Sequence, residues 1–155
     1  MFATGEFSVR YVEEERIMNR ILVAYDGSEP AKEAMHFASE LARHYNSELY
    51  VIAVCQLPEF GGEVEMQDFV SRTQSYFNQM MRNLKKQYPE LKKETKFHVA
   101  MGHPAEQILR YADAHGIDHI VVGHRGKTLF SRWLLGSVAR QVVDHALCPV
   151  TVVRK

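Results

Sequence analysis

Apolar and polar positions change period along the chain in a regular alternation. Arg20 to Tyr25 (RILVAY) is a short continuous apolar run, the pattern of a strand buried on both faces. Asp26-Gly27-Ser28-Glu29-Pro30 follows, with Ser28 suited to a helix N-cap and Pro30 to the first helical turn. Ala31, Ala34, Met35, Ala38, Leu41, Ala42 and Tyr45 then recur at spacings of three and four, one stripe of a helix that Asn46-Ser47 stops. Glu48 to Cys55 (ELYVIAVC) reads as a second buried strand. Leu57 to Gly62 holds Pro58 and a Gly61-Gly62 pair and reads as a loop.

The alternation continues to the C-terminus. A second helix is expected over about Val64 to Tyr88, through Phe69, Val70, Thr73, Phe77, Met80 and Leu84, and Pro89 ends it. Thr95 to Met101 alternates like an outer strand. Pro104 opens a third helix through Ile108, Leu109 and Ala112, with Gly116 as its stop. Asp118 to Val122 is a fourth strand ending in Gly123. Gly136-Ser137 begins a fourth helix through Val138, Val142, Val143 and Ala146, and Val150 to Val153 is a fifth strand. Five strands alternating with four helices predict an α/β fold: an open, mostly parallel, Rossmann-like sheet with helices on both faces. Ligands of such sheets bind beyond the C-terminal strand ends, where strand order reverses. Residues 1–17 read as an N-terminal extension and 18–155 as one domain.

Composition narrows the classes. The 155 residues are 46% apolar and 25% charged, an ordinary globular balance with material for a core. No run approaches the roughly 20 apolar residues of a membrane span. Nineteen Lys plus Arg against nineteen Asp plus Glu remove the general electrostatic footprint of a nucleic-acid binder. Met1 to Arg20 contains no apolar core of signal-peptide length, so a cytoplasmic protein with reduced cysteines is expected. The two cysteines, Cys55 and Cys148, form no disulfide framework, and the eight histidines show no zinc spacing.

The candidate chemistry lies in one loop, GHRGKTLFSRWLLGS from Gly123 to Ser137. Its glycines at 123, 126 and 136 permit close main-chain approach to a ligand. Gly136-Ser137 sits at a helix N-terminus, where open N–H groups and the helix dipole favour an anion. Arg125, Lys127 and Arg132 add positive charge, and no acid lies within the loop. Gly126-Lys127-Thr128 resembles the end of a Walker A loop, but Val121 stands where that motif needs glycine. GxGxxG is absent.

These features together resemble the universal stress protein family. ILVAYDGS, GHRGKT…LLGSV and CPVTVV carry the resemblance, which covers about residues 20 to 155, and the glycine spacing G-2x-G-9x-G-S is that of the family's ATP-binding branch. The resemblance implies a nucleotide across the strand ends and a fold like the adenine nucleotide alpha hydrolases. Ala24 and Asp26 would lie at the adenine and ribose end, Val54 against the adenine and Gly123 near the ribose. Gly126, Gly136, Ser137 and Val138 would present main-chain N–H groups, and the Ser137 hydroxyl, to the phosphates. The phosphate role of Arg125 is inferred from charge alone. The cofactor implied is ATP, and the residues leave open whether Mg2+ accompanies it. The family also implies a homodimer through the last strand. The reading from the sequence is thus a nucleotide-dependent regulatory module of the stress response, with slow or no hydrolysis. Its alternatives are a weak ATPase or phosphotransferase and a nucleotide-free interaction module. The bland readings stay beside these: Asp26 as a turn former, Gly123 as a tight-turn glycine, Ser137 as a plain N-cap.

Overall fold

The computed structural model describes residues 18–56, 63–89, 91, 94–125 and 134–154. The N-terminal extension lies outside the described residues, as do Gly126, Lys127, Phe130, Arg132 and Trp133. The elements, in chain order, are β1 Arg20–Ala24, α1 Glu29–Tyr45, β2 Glu48–Cys55, α2 Glu63–Gln87, β3 Lys96–Met101, α3 Pro104–Ala114, β4 His119–Gly123, α4 Ser137–His145 and β5 Val150–Val153. All ladders are parallel and the strand order is β3-β2-β1-β4-β5. The expected α/β sheet is therefore present, and its order reverses between β1 and β4.

Two-sided burial explains the continuous apolar strands. In β1, Ile21 and Val23 face one layer and Leu22 the other, and all three are wholly excluded from solvent. Leu49, Val51, Ala53 and Cys55 of β2 join the first layer, where α1 contributes Ala34, Met35 and Ala38 and α2 contributes Phe77, Met81 and Leu84. Tyr50 and Ile52 join the second, with Ala105, Ile108 and Ala112 of α3 and Ala139 and Val142 of α4. Fully burying one aliphatic side chain of this size contributes about 1.5–3 kcal/mol, and β1 makes such contributions to both layers.

Local signals set the helix ends. The Ser28 side chain accepts the Ala31 N–H at 3.3 Å, capping α1. Asn46 closes it in the left-handed region at φ 55°, a conformation Asn tolerates better than most residues. α2 departs from expectation in its first half. Phe69 is exposed, while Phe77, Met81 and Leu84 are buried, because it is the C-terminal half of α2 that packs on the sheet.

β4 opens on a buried histidine. His119 Nε2 lies 2.8 Å from Thr151 Oγ1 of β5. Burial pushes the imidazole below its ordinary value, partly opposed by the charge of Asp118. His98 on β3 is lowered too, by burial first and by His115 second, but it is the more exposed of the two.

The neutral imidazole is the form the fold prefers. Its contribution to stability is complete above about pH 6.5, the ordinary histidine value, and is lost as pH falls through the lower folded value. The melting temperature should accordingly fall as pH is lowered from about 7.5 to 5.5, above the range where carboxylates dominate. His119→Gln, which keeps a polar group beside Thr151 and cannot titrate, should flatten that dependence. Equal slopes for parent and variant in a melting series against pH would place its source elsewhere.

Candidate functional site

The reversal of strand order opens a crevice beyond the C-terminal ends of β1 and β4. The sheet delivers most of the sequence-predicted residues to this end. Ala24 closes β1, with Ile52 as its partner on β2. Val54 lies near the end of β2 opposite Ala100 of β3. Ala24, Val54 and Val138 are all half-buried and pack against the α3–α4 layer, so they share one face of the sheet. Gly123 ends β4, and Gly136, Ser137 and Val138 form the cap and first turn of α4. Arg125 follows β4 and is half-buried. Gly126 lies outside the described residues, so its expected place in the cradle is a matter for proposal.

Two residues take local roles that sequence spacing did not separate from ligand binding. Asp26 Oδ1 accepts the Ser28 N–H at 2.9 Å, an Asx-type turn that leads β1 into the cap of α1. Gly123 sits against the first turn of α1. A Cβ built on it would meet the Pro30 carbonyl carbon and oxygen at 2.7 Å and the Pro30 Cβ at 2.9 Å. The bare Cα therefore lets β4 and the N-terminus of α1 close on each other.

One expectation is corrected. The Gly136 amide is not open toward a ligand, because it donates to the His124 carbonyl at 2.8 Å. The glycine caps α4 with extended backbone at φ −60° and ψ 152°, and the open amides fall instead to the first helical residues. Helix geometry leaves the N–H groups of Ser137, Val138 and Ala139 without intrahelical acceptors. Gly136 offers no side-chain cap, and the first turn carries no acid. α1 differs on both counts, since Ser28 caps it and Glu29 lies in its first turn. The N-terminal field of α4 is thus uncompensated by its own sequence and favours an anion.

Sequence reasoning also missed two supports. Gly27 adopts φ +82°, and a Cβ there would meet Met80 Sδ at 3.1 Å, so α2 packs on the turn that carries Asp26. The Asp-Gly pair was the available signal. The second is His124, whose backbone amide donates to the Val153 carbonyl at 2.9 Å, and no spacing rule singles it out.

The chemistry of the remaining polar groups is quiet. Burial raises the Cys55 thiol, with a smaller opposing contribution from Thr73, and burial also raises Cys148. Neither is set up as a thiolate nucleophile. Among the described residues, no three His, Cys, Asp or Glu side chains gather in a way that could hold a metal ion. A cleft of about 330 Å3 between α3 and α4, touching Ala112, Ile117, Ile120 and Cys148, lies at the opposite end of the sheet. None of the candidate nucleotide-site residues described above lines it.

Comparison with known proteins fits this architecture. The model of the universal stress protein family matches residues 18–154. A universal stress protein of Methanocaldococcus jannaschii is 34% identical over 146 residues, covering 91% of this chain and 85% of its own length. YxiE, a universal stress protein of Bacillus subtilis, is 30% identical over 148 residues, covering 89% of this chain and all of its own length. The structure of UspA from Lactobacillus plantarum shares the fold with a TM-score of 0.81 at 27% identity, over 88% of this chain and 98% of that one. The chain belongs to the universal stress protein family. Two structures of lower identity share the fold as well. One is a universal stress protein in complex with cAMP, at 20% identity and TM-score 0.65. The other, from Archaeoglobus fulgidus in complex with dAMP, stands at 24% and 0.54.

Gly123→Ala tests the close approach of β4 to α1. It should cost about 1–3 kcal/mol in denaturant unfolding, the usual range for overpacking a tight contact. A change under about 0.5 kcal/mol, within the scatter of surface substitutions, would mean that Pro30 yields freely.

Proposed function

We propose that this protein is a nucleotide-binding regulatory module of the stress response that holds ATP at the C-terminal end of its sheet. The observation that carries the proposal is the first turn of α4, which has neither side-chain cap nor acid. It closes a loop whose sequence supplies Arg125, Lys127 and Arg132 and no carboxylate. Ser137 and Val138 would give main-chain N–H groups to the phosphates, and Ser137 its hydroxyl, with Gly126 and Arg125 completing the cradle. Gly136 serves by its missing side chain, its amide being engaged. Ala24 and Val54 would offer an apolar wall to the adenine, and Gly123 would pass close to the ribose. The second Asp26 oxygen would accept from ribose or base while the first holds the turn. That other proteins of this fold hold cAMP and dAMP supports an adenine nucleotide, and the length and charge of the loop favour a triphosphate. Mg2+ would enter as the companion of the phosphates.

Binding with slow hydrolysis is favoured over efficient turnover. Phosphoryl transfer needs a positioned base and charge neutralisation at the γ-phosphate. Asp26 would lie at the ribose end, with one oxygen committed to the Ser28 amide, and the loop from Gly123 to Ser137 contains no acid. Among the described residues, no strand lies beyond the outer edge of β5 in the sheet order, and that edge suits pairing with a second copy. A homodimer through this edge is what the family resemblance implies.

The test is direct. Protein denatured after purification should release adenine nucleotide, and calorimetric titration of stripped protein should detect ATP binding. Gly136→Asp should weaken that binding more than about tenfold, because it sets a carboxylate in the anion's place. Undiminished binding by the variant would displace the cradle. Steady-state phosphate release should stay below about 1 s⁻¹, the lower end of ordinary enzyme turnover, and faster release would make the protein an enzyme.

A further inference from the structure

His124 stands one residue past β4 and is half-buried. Its hydrogen bonds run in two directions. Toward β5, its backbone amide donates to the Val153 carbonyl at 2.9 Å. Its ring Nδ1 lies 3.3 Å from the same oxygen, and a carbonyl has two lone pairs with which to accept both. Toward α4, the His124 carbonyl accepts the Gly136 amide at 2.8 Å. One residue therefore joins the exit of β4, the end of the outermost strand and the cap of α4.

We propose that His124 is a positioning residue for the anion-binding turn, its imidazole tying the end of β5 to the N-terminus of α4. The ring bond holds the residue against Val153. That fixes the peptide plane whose carbonyl receives Gly136. Gly136 has no side chain with which to fix its own orientation, so this bond decides where the following amides of Ser137 and Val138 point. The bond requires the ring tautomer that carries its hydrogen on Nδ1. Its effect on ligand affinity rests on the nucleotide reading above; its effect on α4 does not.

The experiment separates the two. Amide hydrogen exchange is followed by NMR on the full chain for the parent, His124→Phe, His124→Ala and His124→Asn. Phenylalanine fills the space without a donor, alanine removes the donor without adding bulk, and asparagine restores an N–H. Exchange of the Gly136 amide should rise about 5–10-fold in the Phe and Ala variants, the usual worth of one hydrogen bond, and return to within about twofold of the parent in Asn. The Ala146 amide, bonded to the Val142 carbonyl at the far end of α4, should not move. Titration with ATP should show weaker binding in Phe and Ala and recovery in Asn. Unchanged Gly136 exchange without the donor, or an equal rise at Ala146, overturns the proposal. So does weakened ATP binding with Gly136 exchange unmoved, since His124 would then act by touching the ligand. A parent that binds no ATP defeats the nucleotide reading, and the exchange ratios still decide the tie.

Discussion

β1 has neighbours on all four sides, and that confinement organises the molecule. It pairs with β2 on one edge and β4 on the other, and helices cover both faces. Nothing inside can reach solvent, so its sequence is apolar without alternation from Ile21 to Val23. The chain must leave its C-terminal end and cross to β2, while the other neighbour, β4, leaves toward β5. Two loops diverge from adjacent strand ends, and the gap between them is a consequence of the strand order, not of any motif. The chemistry collects there because the fold has nowhere else to gather loop residues from strands distant in sequence.

That gap is narrow on one side and electrostatically open on another. Pro30 presses on Gly123, which draws the start of α1 against the end of β4. α1 neutralises its own N-terminus with Ser28 and Glu29. α4 does not. Of these two helix N-termini beside the crevice, one is self-satisfied and one is left to whatever arrives from solution. Anions at such an end are stabilised by about 0.3–1 kcal/mol from the dipole alone at an exposed position. The open N–H groups and the basic side chains of the loop add to that.

Much of this was legible in the sequence, and the limits are physical. β2 and β5 were readable to the residue, because an uninterrupted apolar run between polar turns has few other uses. Ser28, Asn46 and Pro104 marked helix ends through local backbone chemistry, which depends on near neighbours only. The exposure of Phe69 was not legible, since periodicity says which residues share a face but not how far along the helix the sheet extends. The Pro30–Gly123 contact and the bond from Gly136 to His124 were out of reach for a related reason. Each joins atoms whose proximity is made by the sheet. The glycine spacing drew attention to residue 136, yet it could not tell an open amide from a closed one.

The two rims of the sheet are chemically unlike. β3 borders one side with Lys96 and His98, and Lys96 is held in a polar knot with Glu48 and the Tyr50 hydroxyl. β5 borders the other with Val-Thr-Val-Val. A lysine on an edge strand discourages pairing with another sheet, whereas an aliphatic edge favours it. If two such sheets joined aliphatic border to aliphatic border, each border left facing outward would carry Lys96.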